Sequence, residues 1–243
     1  MLVCNPEKTD IVHFTSRFGQ HAPISVNVNG SNILPKPETR DLGVVLDSHL
    51  HLDTHVNNVC KAASLGTRNI GRIRKYIGKA ESESLVHAFV SSKLNYCNSI
   101  LYGLQDYQLK KLQRIQNTAA RVVCKSKIKD HISPVLEELH WLPVKYRIVF
   151  KILLFIYKAI NGLASTYINE LLDEYKPTRS LRSSSKNLLS VPRARTSTYG
   201  NCSFSIAGPV LWNSLPAEIR SIKSLDIFKK AVKTMLYREA YTI

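Results

Sequence analysis

Residues 40–50 read Arg40-Asp41-Leu42-Gly43-Val44-Val45-Leu46-Asp47-Ser48-His49-Leu50. Leu42, Val44, Val45 and Leu46 form a short apolar, β-branched run with Gly43 inside it, which predicts a buried strand of a few residues. The chain before this run carries the signs of strands and turns, and almost everything after it as far as Asp173 carries those of helices. The expected fold is therefore mainly α, with a small N-terminal antiparallel β element, a basic helical bundle and a helical C-terminal region.

Working back from the run, Ile24, Val26 and Val28 alternate with Ser25 and Asn27, the period of a half-buried strand. Asn29-Gly30 is a hairpin turn signal, Ile33 and Leu34 begin the return strand, and Pro35 and Pro37 stop it. Ile11, Val12 and Phe14 read as a further strand after a turn at Asn5-Pro6-Glu7. Residues 1–48 are thus expected to form three or four short strands, too few to bury a core alone.

Working forward, residues 54–78 place Val56, Val59, Ala63, Ile70, Ile73 and Ile77 at helical spacing, with Lys61, Arg68, Arg72, Lys75 and Lys79 interleaved. At about 100° per residue the two sets fall on opposite faces. No acid lies between Asp53 and Glu81, so the basic stripe has no partners of its own on this helix. Gly66 and Gly71 weaken the case for one unbroken helix. Residues 81–101 read as a second helix with Leu85, Ala88, Phe89 and Ser92 on one side. Residues 107–125 repeat the first design. Leu109, Leu112, Ile115, Ala119, Val122 and Val123 share one face, and Lys110, Lys111, Arg114, Arg121 and Lys125 the other. A three-helix bundle with a basic wall is expected over residues 49–130.

Residues 131–175 read as an apolar helical region. Ser133 is read as the N-cap of a short helix with Pro134 first and Glu137 and Glu138 in its first turn. Pro143 opens the most apolar helix, which Asn161-Gly162 closes, and a small helix is expected over 165–173. Residues 176–217 carry no acid but hold Lys176, Arg179, Arg182, Lys186, Arg193 and Arg195 among many Ser and Thr. They read either as a linker or as an arm that orders on nucleic acid. Ser224 caps a final helix with Leu225, Phe228, Val232 and Leu236 inward and Lys229, Lys230 and Lys233 outward. Residues 176–243 are grouped as a basic linker and helical cap.

Charge narrows the function. The 243 residues hold 34 Lys and Arg against 18 Asp and Glu, a formal +16, which points to a polyanionic partner, nucleic acid before an acidic membrane surface. Five dispersed cysteines (Cys4, Cys60, Cys97, Cys124 and Cys202) form no CxxC pair, fitting a reducing, intracellular compartment, nucleus or cytoplasm. No leader-like stretch opens the chain, and the apolar run 148–160 is interrupted by Lys151 and Lys158, so no membrane association is expected.

An ordered series of segments then carries a resemblance. They are NPEKTD at 5–10, RDLGVVLDSHL at 40–50, KLNYCNSILYGL at 93–104, LQRIQNTAARVV at 112–123 and LHWLPVKYRIVFKILLFIYKAING at 139–162. LRSS at 181–184, VPRARTSTYG at 191–200, PVLWNSLPAEIR at 209–220 and SLDIFKKAVKT at 224–234 complete it. Together they resemble the C-terminal part of the reverse transcriptase of LINE-type (non-LTR) retrotransposons, of the Jockey-like and chicken-repeat-like lineages. The resemblance implies that residues 1–48 correspond to the end of the palm, with Leu42, Gly43 and Val44 in a primer-grip-like position. It implies a thumb-like bundle over 49–130 that tracks a template–primer backbone through Lys61, Arg68, Arg72, Lys75, Lys79, Lys110, Lys111, Arg114, Arg121 and Lys125, without reading sequence. It also implies handling of template RNA or target DNA by the C-terminal region.

Polymerases of that family use two magnesium ions held by Asp carboxylates, which the resemblance places upstream of the NPEKT-like segment. No adjacent Asp pair occurs in the sequence, so no catalytic residue, metal or cofactor is expected in this chain, and no polymerase activity from it alone. Lys8 matches a family lysine associated with nucleotide chemistry and reads here as a solvated residue beside a strand. Asp47 and Asp53 read as caps or ion-pair partners. His51 and His55 have a spacing that suits zinc, with His49 near, but no cysteine joins them. No Gly-rich phosphate loop or hydrolase signature is present, so no small-molecule substrate is expected. The leading expectation is a truncated, catalytically inactive fragment that binds an RNA, RNA–DNA or DNA backbone. The alternatives are one end of a longer active RNA-directed DNA polymerase, or a protein-interaction module docking through residues 148–160.

Overall fold

The computed structural model describes residues 5–15, 24–176, 187–194, 196 and 199–241. The fold is mainly helical with a small N-terminal antiparallel β element. That element is two separate hairpins, β1 (Val26–Val28) with β2 (Ser31–Ile33), and β3 (Glu38–Asp41) with β4 (Val44–Asp47), rather than one sheet of three or four strands. Residues 11–14 form no strand: Ile11 and Thr15 make single backbone bonds, to Lys36 and Ser48, without a ladder.

The opening run divides differently from its apolar pattern. Leu42 and Gly43 have φ of 44° and 87° and form the two-residue turn of the second hairpin, with Asp41 opposite Val44. Gly43 is there because that backbone disfavours a Cβ, and Leu42 is 83% exposed at the tip. Asn29-Gly30 forms the same kind of turn in the first hairpin, where the expected residues stand. A leucine held at positive φ is strained by roughly 1 kcal/mol. Leu42→Asn is therefore expected to raise the urea midpoint, with stability up by about 0.5 kcal/mol or more; a lowered midpoint would show that Leu42 makes a compensating contact.

Asp47 ends the second hairpin and fixes the start of the helices. Its carboxylate accepts the backbone N–H groups of His49 at 3.1 Å, His51 at 3.0 Å and Leu52 at 2.6 Å. Burial acts to raise the Asp47 pKa, and these hydrogen bonds outweigh it and hold the carboxyl below its ordinary value. From there α1 (Asp53–Ile73) runs unbroken. Gly66 permits a close approach to the returning chain: a Cβ there would lie 3.1 Å from the Phe89 carbonyl oxygen.

The return rod consists of α2 (Lys79–Val86), a π-helical turn at His87–Ser91 and α3 (Ser92–Asn95), followed by a 3-10 turn at Asn98–Leu101. Its buried face is Ser82, Val86, Val90, Ser91 and Leu94, with Leu85 partly buried against the same core, whereas Ala88, Phe89 and Ser92 are exposed. The wide turn lengthens the repeat to four residues, so the 3.6-residue stripe rotates outward and Phe89 is exposed. α4 (Asp106–Cys124) then runs parallel to α1. The match is visible in Tyr107 against Asp53, Lys111 against Asn57 and Arg74 against the carbonyls of Val122 and Val123.

α5 (Ile132–Glu138) starts from His131, so Ser133 and Pro134 lie inside its first turn and Glu137 and Glu138 close it. α6 (Val144–Ile160) starts after Pro143 and ends at Asn161-Gly162 as expected, Gly162 having φ 68°. The helix expected at 165–173 is only α7 (Thr166–Asn169). Arg179, Arg182, Lys186 and Arg195, with the LRSS segment, lie outside the described residues. The arm's described part is docked: the Asn213 side chain accepts from the Leu189 N–H at 2.9 Å and donates to its carbonyl at 2.8 Å, and the Trp212 indole donates to the Asn187 carbonyl. Those two side chains come from α8 (Phe204–Ser214), which α9 (Ala217–Arg220) and α10 (Leu225–Tyr241) follow.

One hydrophobic cluster joins these pieces, from Leu52 just before α1 and Val56 on it through Leu112 and Ile156 to Phe228 and Leu236 on α10. Phe228 stacks on Tyr157 at 4.2 Å and meets Trp212 at 5.8 Å. The Tyr237 and Tyr241 hydroxyls tie α10 to the Glu137 and Trp141 carbonyls at 3.0 and 2.5 Å. The apolar surface of α6 is thereby packed within the chain.

Candidate nucleic-acid interface

The basic stripes of α1 and α4 border a common seam. Asn57 on α1 accepts Lys111 Nζ from α4 at 3.1 Å, and the Tyr107 hydroxyl donates to Asp53 at 2.7 Å. Away from that seam, Lys61, Arg68 and Arg72 follow Asn57 in one rotational sense, while Lys110, Arg114 and Arg121 depart from Lys111 in the other. Two parallel helices with opposite senses from a shared seam turn the stripes to the same outer face.

The ten cations are not equivalent. Lys61, Arg68, Arg72, Lys110, Arg114 and Lys125 are exposed and, among the described residues, form no ion pair. Lys75 is exposed in the turn after α1, its Nζ 4.7 Å from the Tyr76 ring centroid. Three serve the fold. Lys79 at the start of α2 is paired with Glu138 at the end of α5, Lys111 is held by Asn57 above the Tyr107 ring, and Arg121 donates to the Lys127 and Asp130 carbonyls at 3.3 and 3.1 Å.

Sequence spacing missed Arg74, which interrupts the stripe and turns inward. Its Nε donates to the Val122 carbonyl at 3.0 Å, one Nη to the Val123 carbonyl at 2.7 Å and the other to the Ile77 carbonyl at 2.7 Å. A buried cation thus satisfies the C-terminal carbonyls of α4 and fixes its end against α1. The glutamines of α4 were also missed. Gln108 donates to the His51 carbonyl at 2.7 Å and to Asp53 at 2.9 Å; Gln116 donates to the Leu142 carbonyl at 2.8 Å; Gln113 accepts the Val144 N–H at 2.8 Å. Their helical spacing of eight from Gln108 to Gln116 was the available signal.

Leu42, Gly43 and Val44 lie at the hairpin tip, beyond the other edge of α1. The Tyr96 hydroxyl donates to the Leu42 carbonyl at 2.5 Å, and a Cβ on Gly43 would contact the Tyr96 ring at 3.5 Å. A cleft of about 620 Å³ opens between hairpin, α1 and α3, lined by Arg40, Gly43, Val45, His55, Lys93 and Tyr96. Arg40 and Lys93 add two exposed cations that the stripe pattern did not include.

His55 holds the hairpin to α1. Its Nδ1 accepts the Val45 N–H at 3.4 Å, and Nε2 is buried without a partner. Burial depresses its pKa below 6.5. The neutral imidazole is the form that can accept this bond. The unfolded chain therefore binds the proton first, and the stability from neutral His55 is complete above 6.5 and lost as pH falls through that value toward the folded pKa. The urea midpoint is expected to fall between about pH 7.5 and pH 5, and His55→Gln to flatten that limb; equal slopes in both proteins would assign the effect to other groups.

Among the described residues no group of three or more His, Cys, Asp and Glu side chains is placed to hold a metal ion. The His49 and His51 rings meet edge-on at 5.8 Å, and His55 is engaged by Val45. Asp53 accepts from Tyr107 and Gln108, and Asp47 from the backbone. Lys8 is exposed beside the short 3-10 turn Pro6–Lys8. Cys60, Cys97, Cys124 and Cys202 are free thiols. No described helix is long and apolar enough to cross a membrane.

No known protein family, curated protein or solved structure matches this chain.

Proposed function

We propose that this chain is a nucleic-acid-binding, non-catalytic piece of a LINE-type reverse transcriptase, holding the backbone of a template–primer duplex across the α1–α4 face. The observation that carries the reading is the shared outer face of two parallel helices. Seven of its cations, Lys75 included, are exposed and without ion pairs among the described residues. Such a surface repels itself unless a polyanion neutralises it. Contacts of this kind position a duplex and do not read its sequence. The hairpin tip at Leu42–Val44 and the Arg40–Lys93 cleft border the same helix and would take the strand end in a primer-grip-like way.

The test is a titration of an RNA–DNA hybrid and of duplex DNA with the full chain at several salt concentrations. The affinity is expected to fall linearly on a log–log plot, by about 0.9 in slope for each phosphate neutralised on B-form DNA. Absence of binding at low salt, or binding indifferent to salt, overturns the proposal. Metal-dependent nucleotide incorporation by the chain alone on a primed template would overturn its non-catalytic part.

The reading of the chain as one end of a longer polymerase draws on a separate observation. Phe14, Ile24, Val26, Leu34 and Leu42 are all exposed on and around the two hairpins, as apolar residues are where a further layer packs. A continuous upstream reading frame encoding the missing palm would favour it.

A further inference from the structure

One cavity, of about 570 Å³, has no part in duplex binding. It opens between the α2–α3 rod, α6, α10 and the loop before α6, and Glu83, His87, Trp141, Arg147, Lys151 and Lys233 line it. Arg147 is its fixed element. Its Nε donates to the Leu142 carbonyl at 2.7 Å, one Nη reaches Asn95 Oδ1 at 3.4 Å, and the guanidinium carbon lies 6.0 Å from the Trp141 ring centroid. No carboxylate among the described residues ion-pairs with it. Burial without a counter-ion pushes its pKa down to about 10.

The acid in the wall is committed elsewhere. Glu83 accepts the Trp141 indole N–H at 3.1 Å, and His87 Nε2 lies 3.6 Å from the same oxygen. Lys151 from α6 and Lys233 from α10 line the same space, the Lys151 Nζ resting 5.4 Å from the Phe155 ring centroid. With the histidines neutral, the wall therefore carries Arg147, Lys151 and Lys233 against Glu83, an excess of positive charge. A half-buried guanidinium lacking an anion is unfavourable, and its planar fork matches phosphate oxygens. Two further lysines around it favour a doubly charged phosphate monoester over a carboxylate.

We propose that this cavity binds a terminal phosphate, carried either by a free nucleotide or by the 5′ end of a nucleic-acid strand. Arg147 anchors it and Lys151 and Lys233 neutralise it. None of these residues belongs to the α1–α4 face, so the site does not depend on duplex binding.

The experiment follows thermal midpoint and tryptophan fluorescence of the full chain with inorganic phosphate, adenosine monophosphate, and two single-stranded oligonucleotides differing only in a 5′ phosphate or a 5′ hydroxyl. The phosphate-bearing probes are expected to raise the midpoint. A phosphorylated oligonucleotide binding about tenfold tighter than its hydroxyl twin identifies the strand end as the source. Adenosine monophosphate binding with no difference between the oligonucleotides identifies the free nucleotide. Arg147→Lys, which keeps charge and loses the fork, is expected to weaken binding about tenfold. The exposed pair Lys151→Ala with Lys233→Ala preserves the fold and is expected to abolish the shift. No response to any phosphate-bearing probe, or an undiminished response in the double variant, overturns the proposal. The small probes carry no duplex, so failure of the α1–α4 reading leaves this result untouched.

Discussion

Replacing Arg68, Arg72 and Lys75 together by Glu is expected to weaken duplex binding on the order of a hundredfold and to flatten its salt dependence. All three side chains are exposed, and among the described residues none forms an ion pair, so their loss breaks no internal contact of that kind. Glu is as good a helix former as Arg or Lys, and the change relieves like-charge repulsion along α1. Circular dichroism and melting temperature should therefore be preserved. If each cation neutralises one phosphate, the log–log salt slope becomes shallower by about 2.7, and affinity near physiological salt falls on the order of a hundredfold. Lys79→Glu is the contrasting variant. Lys79 is tied to Glu138, so its replacement should lower stability more than it lowers binding. An unchanged affinity and slope in the triple variant would remove α1 from the interface.

The second large effect concerns the core. Phe228 is fully buried, stacked on Tyr157 of α6 and packed against Trp212 of α8. Truncating a buried phenylalanine to alanine costs about 3–5 kcal/mol, from lost transfer free energy and the cavity left behind. For a chain of this size each kcal/mol lowers the midpoint by about 2–4 °C, so Phe228→Ala is expected to lower it by roughly 6–20 °C. Because the hydrophobic cluster is continuous from Leu52 to Leu236, the whole helical region should unfold in one transition. Fluorescence near Trp212 and far-ultraviolet circular dichroism would then move together. A Trp212 signal that melts early while the remaining helices keep the unaltered midpoint would show that the C-terminal helices are a separate unit.

Long elements with a strong period were legible in the sequence. α4 and α6 were read close to their limits, as were the starts of α1 and α10, because their apolar residues keep a helical period; α1 ends at Ile73, short of the expected 78. The basic face was legible for the same reason: Lys61, Arg68, Arg72, Lys110 and Arg114 owe their exposure to helical spacing alone. Irregular elements were not. The π-helical turn at His87–Ser91 changes the repeat by less than one residue per turn, enough to bury Val90 and expose Phe89, and no residue type announces it. The buried polar contacts of Arg74, Gln108 and Gln116 depend on carbonyls far away in the chain, which local spacing cannot place.

Residues 40–50 divide along the same line. Composition alone placed the change from strands to helices there, since apolar alternation gives way to helical spacing after Asp53. Only the tertiary structure decided that Leu42 and Gly43 are a turn, that Val44 begins the strand, and that Asp47 gathers the backbone donors before α1. A leucine at positive φ is unfavourable on its own; here the pairing of Asp41 with Val44 and the Tyr96 hydroxyl on the Leu42 carbonyl hold it in place. The sequence determined which faces are apolar and which are basic. The packing of α1 parallel to α4 decided that two basic stripes face the same way, because that depends on contacts between residues more than fifty positions apart.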